Sequence, residues 1–198
     1  GAGATVVSDS GSTRVISLEP PAERGGVRPG RRGTGLESVS LPDGRRKVRA
    51  PDIYPNRAVG QLVFTQGGRG WTCTGWLVDA DTILTSGHCV HEGGIGGTWS
   101  TAMTFHAGRQ RSNGVVTDPY PPCGTTSMWA PRQWVGSGAE AHDWGLVHLD
   151  CAIGDTTGWF GYFSVPGAHG LRGVPATVQG YPGDRAPGSY WKDAGRVV

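Results

Sequence analysis

The 198-residue sequence has no apolar run approaching the roughly 18 residues that a membrane-spanning helix needs. It is short of charge, with only 17% Asp, Glu, Lys and Arg. No amphipathic period of 3.6 residues is sustained through the body, which excludes a helical bundle or a coiled coil. No aromatic residue precedes Tyr54, so the basic N-terminal arm has nothing to stack on a base. There is no C-x-x-C pair, the usual knuckle of a zinc site. The chain opens on G-A-G-A-T, without a Met or an apolar signal core, so any export signal is expected to have been removed or to lie outside this sequence.

What the sequence does have points to a turn-rich β protein. Thirty-five glycines and fourteen prolines favour tight turns over long helices. Eight tryptophans supply apolar area without aliphatic runs. Four cysteines form an even set, as expected of an oxidised, secreted protein. The net charge of +2 is uneven. Residues 1–50 hold nine of the eighteen Lys/Arg against five of the sixteen acids, a balance of +4, which leaves −2 for the rest. Residues 1–38, Pro/Gly-rich and without pattern, read as a basic leader with five Arg against four acids.

Strands are expected over 58–64, 71–79, 82–90, 97–108, 113–120 and 143–150. The fifth tract is followed by loop from Pro121 to Ala139, which separates it from the sixth. Two or three further strands fall between 151 and 198, among them 176–183 and 188–198. Short, evenly spaced strands imply a barrel or a sandwich.

Two residues carry the chemistry. His88 leaves the strand T-I-L-T-S between Gly87 and Cys89, where a disulfide to Cys73 on the preceding strand could hold it still, as a general base requires. Asp143 opens the apolar strand D-W-G-L-V-H-L, placed to accept Nδ1–H from an imidazole. Asp150 and Asp155 are its nearest competitors, but neither opens such a strand. A zinc site from Cys73, His88, Cys89 and His91 is the rival reading. It has the wrong ligand spacing, and His88 and Cys89 would point apart on a strand.

The blocks C-T-G-W-L-V, L-T-S-G-H-C and H-D-W-G-L-V, in that order, resemble the trypsin-like (chymotrypsin-fold) serine proteases. G-Y-P-G-D-R at 180–185, G-S-Y-W at 188–191 and the segment 43–59 resemble the bacterial glutamyl endopeptidase, or V8-like, branch. The resemblance covers residues 39 to 198. It implies an all-β, trypsin-like double β-barrel with the first barrel complete (39–150) and the second only begun (151–198). It also implies His88 as general base and acid, Asp143 as its orienting carboxylate and a Cys73–Cys89 bridge. Cys123 and Cys151 remain and are expected to pair, although the resemblance does not supply that bridge. By the same resemblance the mature body begins near Val39, residues 1–38 are a propeptide, and the bond between Glu37 and Ser38 is its processing point.

The nucleophile motif G-x-S-G-[GS]-P is missing after Asp143. Ser164 and Ser189 are expected to be structural, Ser137 lacks the preceding glycine, and S-D-S-G-S around Ser10 has no barrel strands after it. The reading is therefore a secreted serine endopeptidase, Glu-preferring by resemblance, whose serine lies on a C-terminal part of the same precursor. This chain alone is then inactive. Its partners are that fragment and a peptide or protein substrate, with no cofactor, metal, nucleic acid or membrane. The alternative is a catalytically inactive binding or scaffold member of the fold.

Overall fold

The computed structural model describes residues 4–16, 43–163 and 168–197. Its strands are β1 (Ala4–Ser8), β2 (Thr13–Ile16), β3 (Arg46–Lys47), β4 (Val59–Gln66), β5 (Arg69–Leu77), β6 (Thr82–Thr85) and β7 (Thr101–Ala107). They continue with β8 (Gln110–Ser112), β9 (Val115–Thr117), β10 (Cys123–Pro131), β11 (Gly145–Leu149), β12 (Pro175–Gly180) and β13 (Trp191–Arg196). Three short helices are α1 (Gly87–Val90), α2 (Arg132–Ser137) and α3 (Gly154–Thr157).

Six strands pair in the order β11, β6, β5, β4, β7, β10, and β10 closes on β11 to make a barrel. Its interior is filled by Leu62, Phe64, Leu77, Ile83, Phe105 and Val147, all buried. The expected number of barrel strands is right, but one member differs. The tract 123–131, read from sequence as loop, is β10. Its alternation is broken by a register shift between Thr125 and Ser127, and the polar run C-G-T-T-S hides a strand whose last four residues are buried. The tract 113–120 instead contributes the exposed strand β9 to a two-stranded ribbon with β8. Asn113 and Gly114, at φ 49° and 83°, form its two-residue turn.

The leader also departs from its patternless reading. Residues 4–16 form an antiparallel hairpin, β1–β2, and β1 pairs with β10. S-D-S-G-S is the turn of that hairpin, with Ser10 exposed at its tip.

A separate three-stranded sheet, β12–β13–β3, holds the strands expected to begin a second barrel together with Arg46–Lys47. It docks on the first barrel through the Y-P-G-D and S-Y-W tracts. Tyr181 and Tyr190 are buried and stacked at 4.9 Å between ring centroids, against Val48 and Val59. Their hydroxyls donate to the carbonyls of Arg109 (2.8 Å) and Asn56 (3.0 Å). Tyr181 N–H donates to Thr74 Oγ1 on β5 at 2.8 Å. Gly180 permits this approach, because a Cβ there would lie 2.5 Å from Thr74 Oγ1. Gly180→Ala is therefore expected to cost about 1–3 kcal/mol by forcing the sheet off β5. Gly183→Ala, which meets nothing within 4 Å, should leave the urea midpoint near the parent's. Equal midpoints for the two variants would refute this account of the docking.

A candidate active site at the barrel rim

The register of two strands brings His88 to Asp143. β11 pairs with β6 so that Gly145 lies opposite Thr85. Three residues past Thr85 the chain reaches His88 in α1, and two residues before Gly145 it reaches Asp143. The gap of 55 residues in sequence closes to a pair of hydrogen bonds. His88 Nδ1 lies 2.8 Å from Asp143 Oδ2, and the His88 backbone N–H donates to Asp143 Oδ1 at 2.7 Å. Burial raises the Asp143 carboxyl, but hydrogen bonds from the His88 ring and amide, with the Gly87 amide, outweigh it and hold the group below its ordinary range. The ring side chain is 54% exposed and the carboxylate 29%. The imidazole thus faces outward while its partner is sheltered.

Two braces hold α1, a single turn that is too short to be stable alone. Cys89 is joined to Cys73 of β5, with their Cα atoms 6.2 Å apart. On the other side Trp134 of α2 donates its indole N–H to the His91 carbonyl at 2.8 Å and packs beside Gly87. A Cβ at Gly87 would lie 3.0 Å from Asp143 Oδ1, from Trp134 Cδ1 and from Trp144 N. The glycine of S-G-H-C is the sequence signal of this crowding; the role of Trp134 had none. The site borders a cleft of about 1450 Å³, lined by Phe64, Trp71, Cys73, His88, Tyr181 and Trp191 among others.

Cys73, His88 and Cys89 do bring ligand atoms within 4.8 Å of one another. The two sulfurs are bonded to each other, so neither is the thiolate a zinc site would use. Cys123 and Cys151 form the second bridge. Asp150 lies past the other end of β11, accepting the Gly124 N–H at 2.8 Å, and Asp155 is exposed on α3. Ser137 and Ser189 lie at the end of α2 and before β13, Ser189 buried. Glu37, Ser38, Val39 and Ser164 lie outside the described residues.

A second His–Asp contact, not anticipated from sequence, joins His106 and Asp118. His106 Nδ1 has both Arg109 Nη2 at 2.7 Å and Asp118 Oδ2 at 3.2 Å. Burial, then the Arg109 cation, lowers the His106 pKa. The neutral ring, accepting from Arg109 through Nδ1, fits these surroundings. Arg109 also takes both oxygens of Asp118, so this carboxylate is committed to a structural ion pair.

These groups set the pH dependence of stability. His91, like His106, is shifted below its ordinary value by burial. An unfolded histidine titrates near pH ~6.5, so below that value the unfolded chain binds more protons than the folded one and stability falls. Asp118, held low by Arg109, Glu92, held low by Thr98, and Asp143 contribute stability above the unfolded carboxyl range near ~4 that is lost below it. Acidification should thus destabilise in two stages, and His106→Gln should flatten the first. Urea midpoints from pH ~7.5 to ~3 would measure both; a midpoint that rises between pH ~7 and ~5 contradicts the assignment.

A closed six-stranded barrel with a His–Asp couple at its rim is the architecture of a trypsin-like serine protease. The Trypsin family model matches residues 50–195, and the chain belongs to that family. It is similar to the glutamyl endopeptidase of Bacillus licheniformis, 32% identical over 189 residues, covering 96% of this chain and 55% of the relative. A Bacillus subtilis protein named extracellular metalloprotease is 31% identical over 158 residues, 79% of this chain and 48% of that protein. The chain spans about half the length of these curated relatives. Among solved structures, a Glu endopeptidase in complex with MPD aligns with a TM-score of 0.68 at 28% identity, covering 80% of this chain and 70% of that one. The protease Anisep from Arthrobacter nicotinovorans aligns at 0.62 with 23% identity, over 77% and 67% of the two chains, and supports the fold alone.

Proposed function

We propose that this chain is the histidine- and aspartate-bearing part of a secreted serine endopeptidase that cleaves peptide bonds through an acyl-enzyme, with preference for Glu at the cleaved bond. His88 takes the proton of the nucleophile and returns it to the leaving amine, while Asp143 fixes the Nδ1–H tautomer and offsets the imidazolium charge. The observation that carries the reading is the pair of contacts from one histidine, ring and amide, to the two oxygens of one carboxylate.

In this reading the serine sits on a C-terminal part of the same precursor, because no nucleophile motif follows Asp143 in this sequence. Residues 1–38 are a propeptide, cut between Glu37 and Ser38 so that the body begins near Val39. The ion cluster of Asp43, Arg45, Asp184 and Arg185 supports a body starting there. Arg45 binds both oxygens of Asp184 at 2.7–2.8 Å and so ties the expected start to the second sheet. Two disulfides support secretion. The Glu preference rests on the relatives' names and on Glu37 at the processing point.

A fluorophosphonate probe tests the proposal. It should label a serine in the precursor extended beyond Val198, leave this chain unlabelled, and lose its target when His88 is replaced by Ala. No labelling of the extended precursor would favour the inactive binding protein instead.

A further inference from the structure

β10 offers two edges, and they are filled differently. One pairs with β11 from Thr125 to Trp129. The other pairs with β7 only at Cys123 and Gly124, opposite Phe105 and Thr104. Beyond that β7 diverges, and the rest of the edge is taken by β1 in the register Val6 to Pro131, Val7 to Ala130 and Ser8 to Trp129. The Asp9 N–H extends the ladder to the Met128 carbonyl at 3.0 Å. Val6 is 1% exposed and Ser8 3%, while Thr5 and Val7 on the alternate face are only half-buried. This is the pattern of a strand with one buried face. The hairpin tip is closed by Ser8 and Ser12 backbone and side-chain bonds, and Arg14 lies over the Trp129 ring at 5.0 Å.

The geometry points to residues 128–131 as a strand-addition edge whose built-in occupant is the leader hairpin, and to that hairpin staying seated as a separate fragment once the intervening chain is cut. An unpaired edge of this kind presents free N–H and C=O groups to any passing strand, and β1 satisfies them with an apolar anchor, the mode by which extended peptides add to sheets. The edge runs directly into α2, whose Trp134 braces the turn carrying His88. A seated leader therefore stiffens the support of the His–Asp pair. The inference deepens the propeptide reading, but the cut in the test is artificial, so a wrong processing site would leave it decided.

The test uses the full chain with a recognition sequence for a specific protease inserted within residues 17–42. After nicking, the fragment containing residues 4–16 should co-elute with the body at micromolar concentration, and the amides of Trp129 and Ala130 should stay protected from exchange. Val6→Asp should weaken retention about 100-fold, the worth of losing one buried valine anchor. Separate elution from the nicked parent, or undiminished retention of the Val6→Asp fragment, overturns the inference. If that variant fails to fold, a synthetic peptide of residues 4–16 added to the body stripped of its fragment decides the matter. Protection of Trp129 and Ala130 should return with the peptide, and its failure to return overturns the inference.

Discussion

Asp143→Asn in the complete protease is expected to lower kcat by about 10⁴-fold while leaving the fold and KM near those of the parent. The reason lies in the two oxygens of the carboxylate. Oδ1 accepts the His88 backbone N–H at 2.7 Å and Oδ2 faces His88 Nδ1 at 2.8 Å. An asparagine has one oxygen, and the fixed amide donor of His88 claims it. The NH₂ is then turned toward the ring, where it donates to Nδ1 and drives the proton to Nε2. A histidine protonated at Nε2 cannot take a proton from a serine. The geometry survives while the tautomer is wrong. The variant should therefore melt like the parent, and ¹⁵N spectra of the His88 ring should show the proton moved from Nδ1 to Nε2. A loss under about tenfold, or an unmoved proton, would remove Asp143 from the role proposed for it.

The sequence made some of this legible and hid the rest for identifiable reasons. The hairpins β4–β5 and β5–β6 follow from alternation in A-V-G-Q-L-V-F and W-T-C-T-G-W-L-V and from short turns between them. His88 and Asp143 were found only through ordered blocks, because no local pattern reveals that Gly145 lies opposite Thr85. β10 escaped because its bulge breaks the two-residue period, and because its buried end, M-W-A-P, finishes in a proline that reads as a breaker. The ribbon β8–β9 carried a readable signal, Asn113–Gly114. Its exposed valines, Val115 and Val116, gave it instead the look of a barrel strand. The leader hairpin was obscured by the Pro/Gly/Arg tract that follows it. The strands T-V-V-S and T-R-V-I are short, and their worth depends on an edge left open by the divergence of β7 from β10. Tertiary opportunity of that kind leaves no trace in local composition.

Deleting the two disulfides one at a time is expected to separate stability from catalysis. In the loop-entropy account, the Cys73–Cys89 bridge, with a sequence separation of 16, is worth roughly 3 kcal/mol, and Cys123–Cys151, with a separation of 28, roughly 3.6 kcal/mol. Paired alanine replacements should therefore lower the guanidinium midpoint by similar amounts. Their effects on turnover should differ. Cys89 is the next residue after His88 in a four-residue helix that cannot hold itself, and without the bridge the imidazole loses one of its two braces. A base displaced by about an ångström slows proton transfer on the order of 10- to 100-fold. Cys151 follows the far end of β11, roughly 14 Å of strand away from the end that Asp143 precedes. Its bridge joins the start of β10 to that far end. The Cys123→Ala, Cys151→Ala enzyme should turn over at the parent's rate below its melting range, while the Cys73→Ala, Cys89→Ala enzyme should not. Equal losses of kcat in both would mean that the first bridge stabilises the barrel without positioning His88, and Trp134 would then be left as the brace that matters.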